Sequence, residues 1–215
     1  MDQKLLFLIN REWTGPVLDR VMTAASSSSL WTVPFMLLVI AVLVRGGFRA
    51  RAFTAVVLLA VVLCDSVAGY GIKKATGRMR PHESEFGVRQ LSLVSPAVRG
   101  IFQPVQEMIS LGNDTESAGR SFPSNHSANT ACAALLAAVF FRRWGWLAFF
   151  PALLVSYSRV YTGSHWPSDV LAGICLGLGM AMLALLIAES LWRRFGARLS
   201  PALATRFPSL LSTVA

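Results

Sequence analysis

The sequence predicts an all-α integral membrane protein, built as a bundle of five transmembrane helices, or six if residues 1–20 also span. Of the 215 residues, 54% are hydrophobic and only 14% are charged, whereas soluble domains carry about 25% charged residues. Long stretches of the chain contain no charge at all. They are too long for strands and lack the alternation typical of a β-barrel. A soluble globular fold and intrinsic disorder are both excluded.

Five runs of low charge locate the predicted spans, at residues 21–44, 52–72, 121–141, 144–158 and 170–188. A helix needs about 20 apolar residues to cross the hydrocarbon core. The short fourth run is therefore expected to extend towards Val160. Residues 1–20 contain a brief apolar stretch among charged residues, which predicts an interfacial helix lying on the bilayer. The length suits a single domain over residues 1–215.

The distribution of positive charge predicts the orientation. A net charge of +9 would suggest nucleic acid in a soluble protein, but lysine and arginine in short loops mark the cytoplasmic side of a membrane protein. The short turns 45–51 and 142–143 and the C-terminal tail hold nine arginines against Glu189 alone. We therefore assign this side to the cytoplasm, place the loop 73–120 outside, and expect no nucleic-acid partner.

Three polar clusters fall at the outer ends of predicted spans. They are Lys73-x6-Arg80-Pro81, Pro123-Ser124-Asn125-His126 and Ser158-Arg159-x5-His165-x3-Asp169. Because the loops of a helical bundle meet at one membrane face, we expect the three clusters to form a single site.

The residue types in these clusters indicate phosphate chemistry. Arginine offers a planar fork for phosphate oxygens and lysine adds a point charge. Helix N-termini near Ser124 and Pro167 direct free amides at the same region, and such ends favour anions. A carboxylate such as Asp169 fixes the tautomer of His165 and leaves its other nitrogen as a nucleophile. His126 is the candidate acid for the leaving oxygen.

The three clusters resemble the signature of the type 2 phosphatidic acid phosphatase superfamily, membrane lipid phosphatases related to the haloperoxidase fold. That pattern is K-x6-RP, then PSGH, then SR-x5-H-x3-D, and the resemblance covers residues 73–169. It implies that His165 forms a phosphohistidine, that Asp169 orients His165, and that His126 protonates the leaving group and then activates water. Residues implied to hold the phosphate are Lys73, Arg80, Ser124, Asn125 and Arg159. Asn125 departs from the usual glycine but keeps the backbone amide.

The resemblance implies metal-independent hydrolysis of a lipid phosphate or diphosphate in a bacterial inner membrane, with the active site facing outward. Undecaprenyl diphosphate is the first substrate expected, and phosphatidylglycerol phosphate, phosphatidic acid and lipid A phosphates stay open. No cofactor is expected, and the clusters lack the carboxylates that a divalent metal needs. A phosphotransferase with the same phosphohistidine is the main alternative, and a non-enzymatic lipid transporter is a weaker one.

Several residues that the motifs do not specify have separate predictions. An intramembrane carboxylate is functional by default, but the position of Asp65 favours a hydrogen bond between packed helices. Arg78 is expected at the pocket rim and His82 at the surface. The loop 82–122 is long enough for a lid or an interfacial helix, with residues 94–111 as the best candidate.

Overall fold

The computed structural model describes residues 1–94, 102, 104–112 and 120–212. The N-terminal segment forms two short helices, α1 (Asp2–Phe7) and α2 (Pro16–Ser26), joined by a π-helical turn at Leu8–Glu12. Pro16 occupies the first turn of α2, where a missing N–H costs nothing. The single interfacial helix predicted for residues 1–20 is therefore divided by an irregular segment ahead of Pro16.

Two long helical arms follow. Helix α3 (Ser28–Arg45) has no buried residue, and α4 (Phe48–Asp65) begins after the Gly46–Gly47 turn. The α4 arm continues through a π-helical turn at Ser66–Ile72 into α5 (Lys73–Thr76), which ends at Gly77 with a left-handed φ of 54°. The predicted first span began at residue 21, but the extended backbone of Ser27 separates α2 from α3.

The short helix α6 (Pro81–Ser84) leads into an antiparallel hairpin of β1 (Phe86–Leu93) and β2 (Val105–Leu111). The predicted interfacial helix over residues 94–111 is thus wrong where the structure describes it. Tertiary packing explains the difference, because Val88 and Leu91 of β1 are buried in a cluster with Leu6 of α1. Residues 95–101, 103 and 113–119 of the predicted lid lie outside the described residues.

The remaining chain forms α7 (Asn125–Gly145), a 3-10 turn (Trp146–Ala148), α8 (Phe149–Tyr161), α9 (Pro167–Leu199) and α10 (Pro201–Arg206). The backbone of Arg142 is non-helical, with φ 43° and ψ −100°. A Cβ on Gly145 would clash with the Ala137 carbonyl. The chain therefore turns back on itself near Arg142, between the third and fourth predicted spans.

Within the described residues, four helical runs are long and apolar enough to cross a membrane: Ser28–Arg45, Phe48–Ser84, Asn125–Tyr161 and Pro167–Leu199. The non-helical backbone of Arg142 divides the third run into two parts, and the number of transmembrane helices stays a prediction. The all-α membrane fold is confirmed, with the hairpin as an unpredicted addition. Which segments cross the bilayer remains a prediction.

Helices α4, α7 and α9 pack around one apolar core, which includes Val56, Cys64, Cys132, Leu136 and Phe140. Gly173 and Gly177 of α9 let this helix approach α7 closely, since a Cβ at either position would clash with the carbonyl oxygen of Ser124 or Ala128. Small residues commonly allow such contact between membrane helices. This contact brings the N-termini of α7 and α9 together.

Candidate active site

His165 lies in the short loop between α8 and α9 and is only 2% exposed. The loop folds back on the end of α8, because the backbone N–H groups of Ser164 and His165 both donate to the Arg159 carbonyl at 3.0 Å. Gly163 makes this turn with φ 70°, and a Cβ there would lie 2.6 Å from the Arg89 carbonyl oxygen. The position therefore favours glycine on both counts.

Asp169, in the first turn of α9, is fully buried beside His165. The distance from His165 Nδ1 to Asp169 Oδ2 is 3.6 Å, longer than a hydrogen bond. The same oxygen accepts hydrogen bonds from the Ser121 hydroxyl at 2.5 Å and from the Trp166 backbone N–H at 3.1 Å. Catalytic hydrogen bonds often shorten only when substrate binds. A small movement of either side chain would bring His165 and Asp169 within hydrogen-bond distance, as the sequence predicts.

The surroundings of His165 favour its neutral form. Burial lowers the pKa of His165 to about 4, and the positive charges of Arg159 and Arg80 act in the same direction, while Asp169 opposes them. Because this pKa lies well below 7, the imidazole carries a free lone pair at neutral pH. An imidazole in that state can act as a nucleophile.

The N-terminus of α7 contributes Ser124, Asn125 and His126. Ser124 is buried and caps the helix, with its hydroxyl accepting from the Ser127 backbone N–H at 3.4 Å. Its own backbone N–H donates to the Asp169 carbonyl at 3.0 Å, so the second and third motifs are directly connected. Half-buried His126 lies within electrostatic range of His165.

Three cations approach the histidines. Arg159 is 9% exposed and its Nη1 donates to the carbonyl oxygen of Ser26 at 3.1 Å and to the Ser26 hydroxyl, while its Nε is buried without a partner. Lys73 and Arg80 are half-buried, and Lys73 is within electrostatic range of both arginines. Like charges held this close repel one another, which a bound phosphate would relieve.

Comparison with known proteins identifies the family. The sequence pattern of the PAP2 superfamily matches residues 50–193. The chain belongs to the PAP2 superfamily. It is an enzyme with lipid phosphatase activity of the PAP2 type, and its apolar helices make it a membrane protein.

Two relatives and one solved structure illustrate the PAP2 match. The chain is 26% identical to a lipid A 4'-phosphatase of Bacteroides thetaiotaomicron over 199 residues, 90% of this chain and 80% of the relative. It is 43% identical to an undecaprenyl-diphosphatase of Sulfolobus acidocaldarius over 71 residues, about a third of each chain. The crystal structure of Aquifex aeolicus LpxE covers 86% of this chain and 94% of its own, with 21% identity and a TM-score of 0.50. That likeness concerns the fold.

Arg78 is one of the six positions that the first PAP2 motif leaves unspecified between Lys73 and Arg80, and the sequence predicts it only at the pocket rim. In the structure its Nη1 donates to Asp169 Oδ1 at 2.7 Å and to the Ser168 hydroxyl at 2.7 Å. Its guanidinium also stacks over the Trp166 ring, 5.1 Å from the centroid. Neither Arg78 nor Ser121 has a distinguishing spacing in the sequence, so only the fold reveals their contacts with Asp169.

One further prediction needs correction. His82, expected at the surface, is half-buried, and its Nδ1 lies 2.8 Å from the carbonyl oxygen of Gly163 in the catalytic loop. Strand β1 also contacts this loop, because the Leu91 backbone N–H donates to the Thr162 carbonyl at 3.4 Å, and Arg89 of β1 pairs with Glu107 of β2 at 2.6 Å. The hairpin therefore supports the loop between α8 and α9 from the side.

The asparagine that replaces the PAP2 motif glycine joins two helices. Asp65 Oδ1 accepts from Asn125 Nδ2 at 2.8 Å and from Asn129 Nδ2 at 3.2 Å. The interhelical hydrogen bond expected of Asp65 is confirmed, although Asp65 is exposed in the isolated chain. The side chain of Asn125 is thus engaged with α4, and its backbone N–H is the group left to meet a phosphate.

Removing this contact is expected to weaken the packing of α4 against α7. Asn125→Ala and Asp65→Ala should each lower the free energy of unfolding, with a coupling between them of about 1 kcal/mol, as polar contacts between membrane helices usually contribute. Unfolding of the purified variants in detergent would measure both effects. Strictly additive losses would show that the two side chains act independently.

Proposed function

We propose that this chain removes phosphate from a membrane lipid through a covalent phosphohistidine on His165, without a metal ion. The observation that supports this best is a buried imidazole whose Nδ1 lies 3.6 Å from the carboxylate of Asp169. Burial and the nearby Arg159 and Arg80 lower the pKa of His165 and so favour its neutral form. A free imidazole nitrogen attacks phosphorus, and fixed positive charge stabilises the oxygens of the transition state.

The first half of the reaction divides roles among the clustered residues. His165 forms the N–P bond as the P–O bond to the lipid breaks, and Asp169 holds the positive charge that develops on the imidazole. His126 gives its proton to the leaving oxygen. Lys73, Arg80 and Arg159 bind the phosphate oxygens, together with the amide of Asn125 at the start of α7.

The second half returns the enzyme to its starting state. His126, now unprotonated, takes a proton from water as the water oxygen attacks phosphorus. The N–P bond breaks and inorganic phosphate leaves. The Ser124 oxygen accepts from the Ser127 amide and hydroxyl, and its own O–H can still donate to a phosphate oxygen, so we assign Ser124 both to the helix end and to phosphate binding.

For the substrate, we place a lipid A phosphate first and undecaprenyl diphosphate second. Undecaprenyl diphosphate was the first expectation from the sequence alone, but the lipid A 4'-phosphatase relative aligns over 90% of this chain, whereas the undecaprenyl-diphosphatase relative aligns over 33%. The lipid A 4'-phosphatase of Bacteroides thetaiotaomicron supports a bacterial inner membrane as the proposed location. The arginines of the short loops support a site that faces the periplasm.

Phosphate release by the purified protein tests this proposal. Wild-type chain in detergent with EDTA would be given lipid A, undecaprenyl diphosphate, phosphatidylglycerol phosphate and phosphatidic acid in turn. We expect phosphate release in the presence of EDTA. The lipid with the fastest release would be the preferred substrate. Loss of activity in EDTA and recovery with Mg²⁺ would contradict the metal-free mechanism.

A phosphotransferase would be recognised by the same assay. Dephosphorylated lipid would then form only when an alcohol acceptor is present, and the phosphate would be recovered on that acceptor. Equal amounts of free phosphate and dephosphorylated lipid without any acceptor would instead identify a hydrolase.

A further inference from the structure

The carboxylate of Asp169 is held by a cation at a position that the first motif leaves unspecified. Arg78 Nη1 donates to Asp169 Oδ1 at 2.7 Å, and Arg78 Nη2 donates to Asp2 Oδ2 at 2.6 Å. We propose that Arg78 is a positioning residue for the His165–Asp169 pair and that Asp2, on α1, holds Arg78 in place. This assignment rests on the phosphohistidine function proposed above.

The division of hydrogen bonds between the two carboxylate oxygens supports a positioning role. Arg78 occupies Oδ1, whereas Ser121 and the Trp166 amide occupy Oδ2, the oxygen nearest His165 Nδ1. A charge-assisted hydrogen bond is about twice as strong as a neutral one. With Oδ1 fixed in this way, the carboxylate cannot rotate, and Oδ2 stays directed towards the imidazole.

The charge of Arg78 also matters to the nucleophile. The Arg78 guanidinium directly contacts the buried carboxylate of Asp169. Without this positive charge, the carboxylate would favour protonation of His165 more strongly. Other charged or titratable groups that act on this pair are Lys73, Arg80, Arg159 and His126. Arg78 differs from these cations because it meets Asp169 on the side away from His165 and is itself paired with an acid.

Asp2 connects this arrangement to the N-terminal helix. Its Oδ1 accepts from the Ser168 amide at 3.0 Å, and its Oδ2 accepts from the Ser168 hydroxyl at 2.6 Å as well as from Arg78. Burial alone would raise the pKa of Asp2, but these hydrogen bonds from Ser168 and Arg78 lower the pKa below its ordinary value. Asp2 is therefore ionised at neutral pH and ties α1 to the first turn of α9.

Apolar packing fixes α1 at the same place. Leu6 is fully buried in a cluster with Trp166 and Val170, the residues that flank Ser168 and Asp169. A helix that only lay on the bilayer would not need these contacts. The geometry thus makes the N-terminal segment a support for the catalytic loop.

The test compares Arg78→Gln and Arg78→Lys with Lys74→Gln, a matched loss of positive charge at an exposed position on the same arm. We expect Arg78→Gln to lower kcat by about 10- to 100-fold, the effect of losing a hydrogen bond to a charged group. The KM for the lipid should change little, because Arg78 does not touch the phosphate. Lys74→Gln should match the wild type in both constants.

The pH profile separates positioning from a general structural defect. Without the positive charge of Arg78, Asp169 favours the protonated imidazole more strongly, so the acidic limb of kcat should move to higher pH by roughly one unit. Arg78→Lys keeps the charge and should keep the limb of the wild type. A damaged fold would lower kcat in both variants without moving the limb.

Asp2→Asn provides a second measurement that leaves Arg78 in the protein. We expect a smaller fall in kcat, and the loss in the double variant with Arg78→Gln should be well below the product of the two single losses, because Asp2 and Arg78 belong to one network around Asp169. Independent, multiplying losses would overturn the role given to Asp2. If Arg78→Gln does not fold, Asp2→Asn alone decides, because an unchanged kcat in that variant would overturn the role given to Asp2.

The outcomes distinguish this assignment from the proposed function. If wild type releases phosphate while Arg78→Gln keeps its kcat and pH profile, the positioning role is wrong and the phosphatase stands. If wild type releases phosphate from none of the four lipids, the proposed function fails and the assignment falls with it.

Discussion

Replacing His165 by glutamine is expected to lower phosphate release by about a thousandfold or more, the usual consequence of losing a catalytic nucleophile. Glutamine fills much of the same buried space but cannot form the N–P bond. The measurement is phosphate release in detergent on the preferred lipid. His82→Gln is the matched control, since the His82 ring contacts the Gly163 carbonyl of the same loop and belongs to no motif, and a far smaller loss is expected.

The covalent intermediate can be trapped directly. Rapid quenching with labelled lipid phosphate should give a protein-bound phosphate that survives base and is lost in acid, as a phosphoramidate does. The His165→Gln chain should carry none. A label that stays on the variant, or lipid turnover at the wild-type rate, would exclude His165 as the nucleophile. If the wild-type protein binds and transfers the lipid without releasing phosphate, a transporter would be favoured instead.

The pH dependence of this first step follows from the surroundings of His165. Its pKa is lowered to about 4, chiefly by burial, so the imidazole is deprotonated at all higher pH. The rate of phosphoenzyme formation from free enzyme should therefore fall as the pH drops through about 4, rather than near the ordinary value of about 6.5. Single-turnover rates measured between pH 3 and 8 would locate this fall in rate. The rates must first be corrected for the titration of the substrate phosphate.

The motifs identify residues that would contact substrate. The structure adds residues that contact other protein groups. His126, Arg159 and His165 could be selected from spacing because each would face substrate at the end of a span. Arg78, Ser121 and Asp2 contact protein groups instead. Asp2 and Ser168 are separated by 166 positions, and no local pattern in a sequence records a hydrogen bond of that kind.

The sequence likewise could not predict the parts of the fold that depend on contacts between distant residues. Hydropathy located the membrane helices and the turn near residues 142–143, because charge is costly in the bilayer and its position is visible in sequence. It missed the hairpin. Asn10 contacts the Arg89 backbone at 2.8 Å and the Tyr161 carbonyl at 2.7 Å, so the place of β1 depends on α8 and the N-terminal segment. Such tertiary contacts override local periodicity.

Replacing His126 by glutamine is the second large effect expected. Loss of general acid catalysis should lower hydrolysis of a lipid phosphate by about 10²- to 10⁴-fold, because an alkoxide or a lipid phosphate leaves poorly without a proton. His126 lies within electrostatic range of His165 and Arg159, at the first turn of α7. Wild type and variant would be compared on the preferred lipid and on p-nitrophenyl phosphate.

The second substrate separates the two roles of His126. Nitrophenolate leaves without protonation, so the variant should still form the phosphoenzyme from it at close to the wild-type rate. Water attack would remain slow, because no base takes its proton, and labelled phosphoenzyme should accumulate. Equal losses on both substrates in the first step would contradict the acid role. In that case His126 would act on the phosphate itself, and proton delivery would fall to another group at the site.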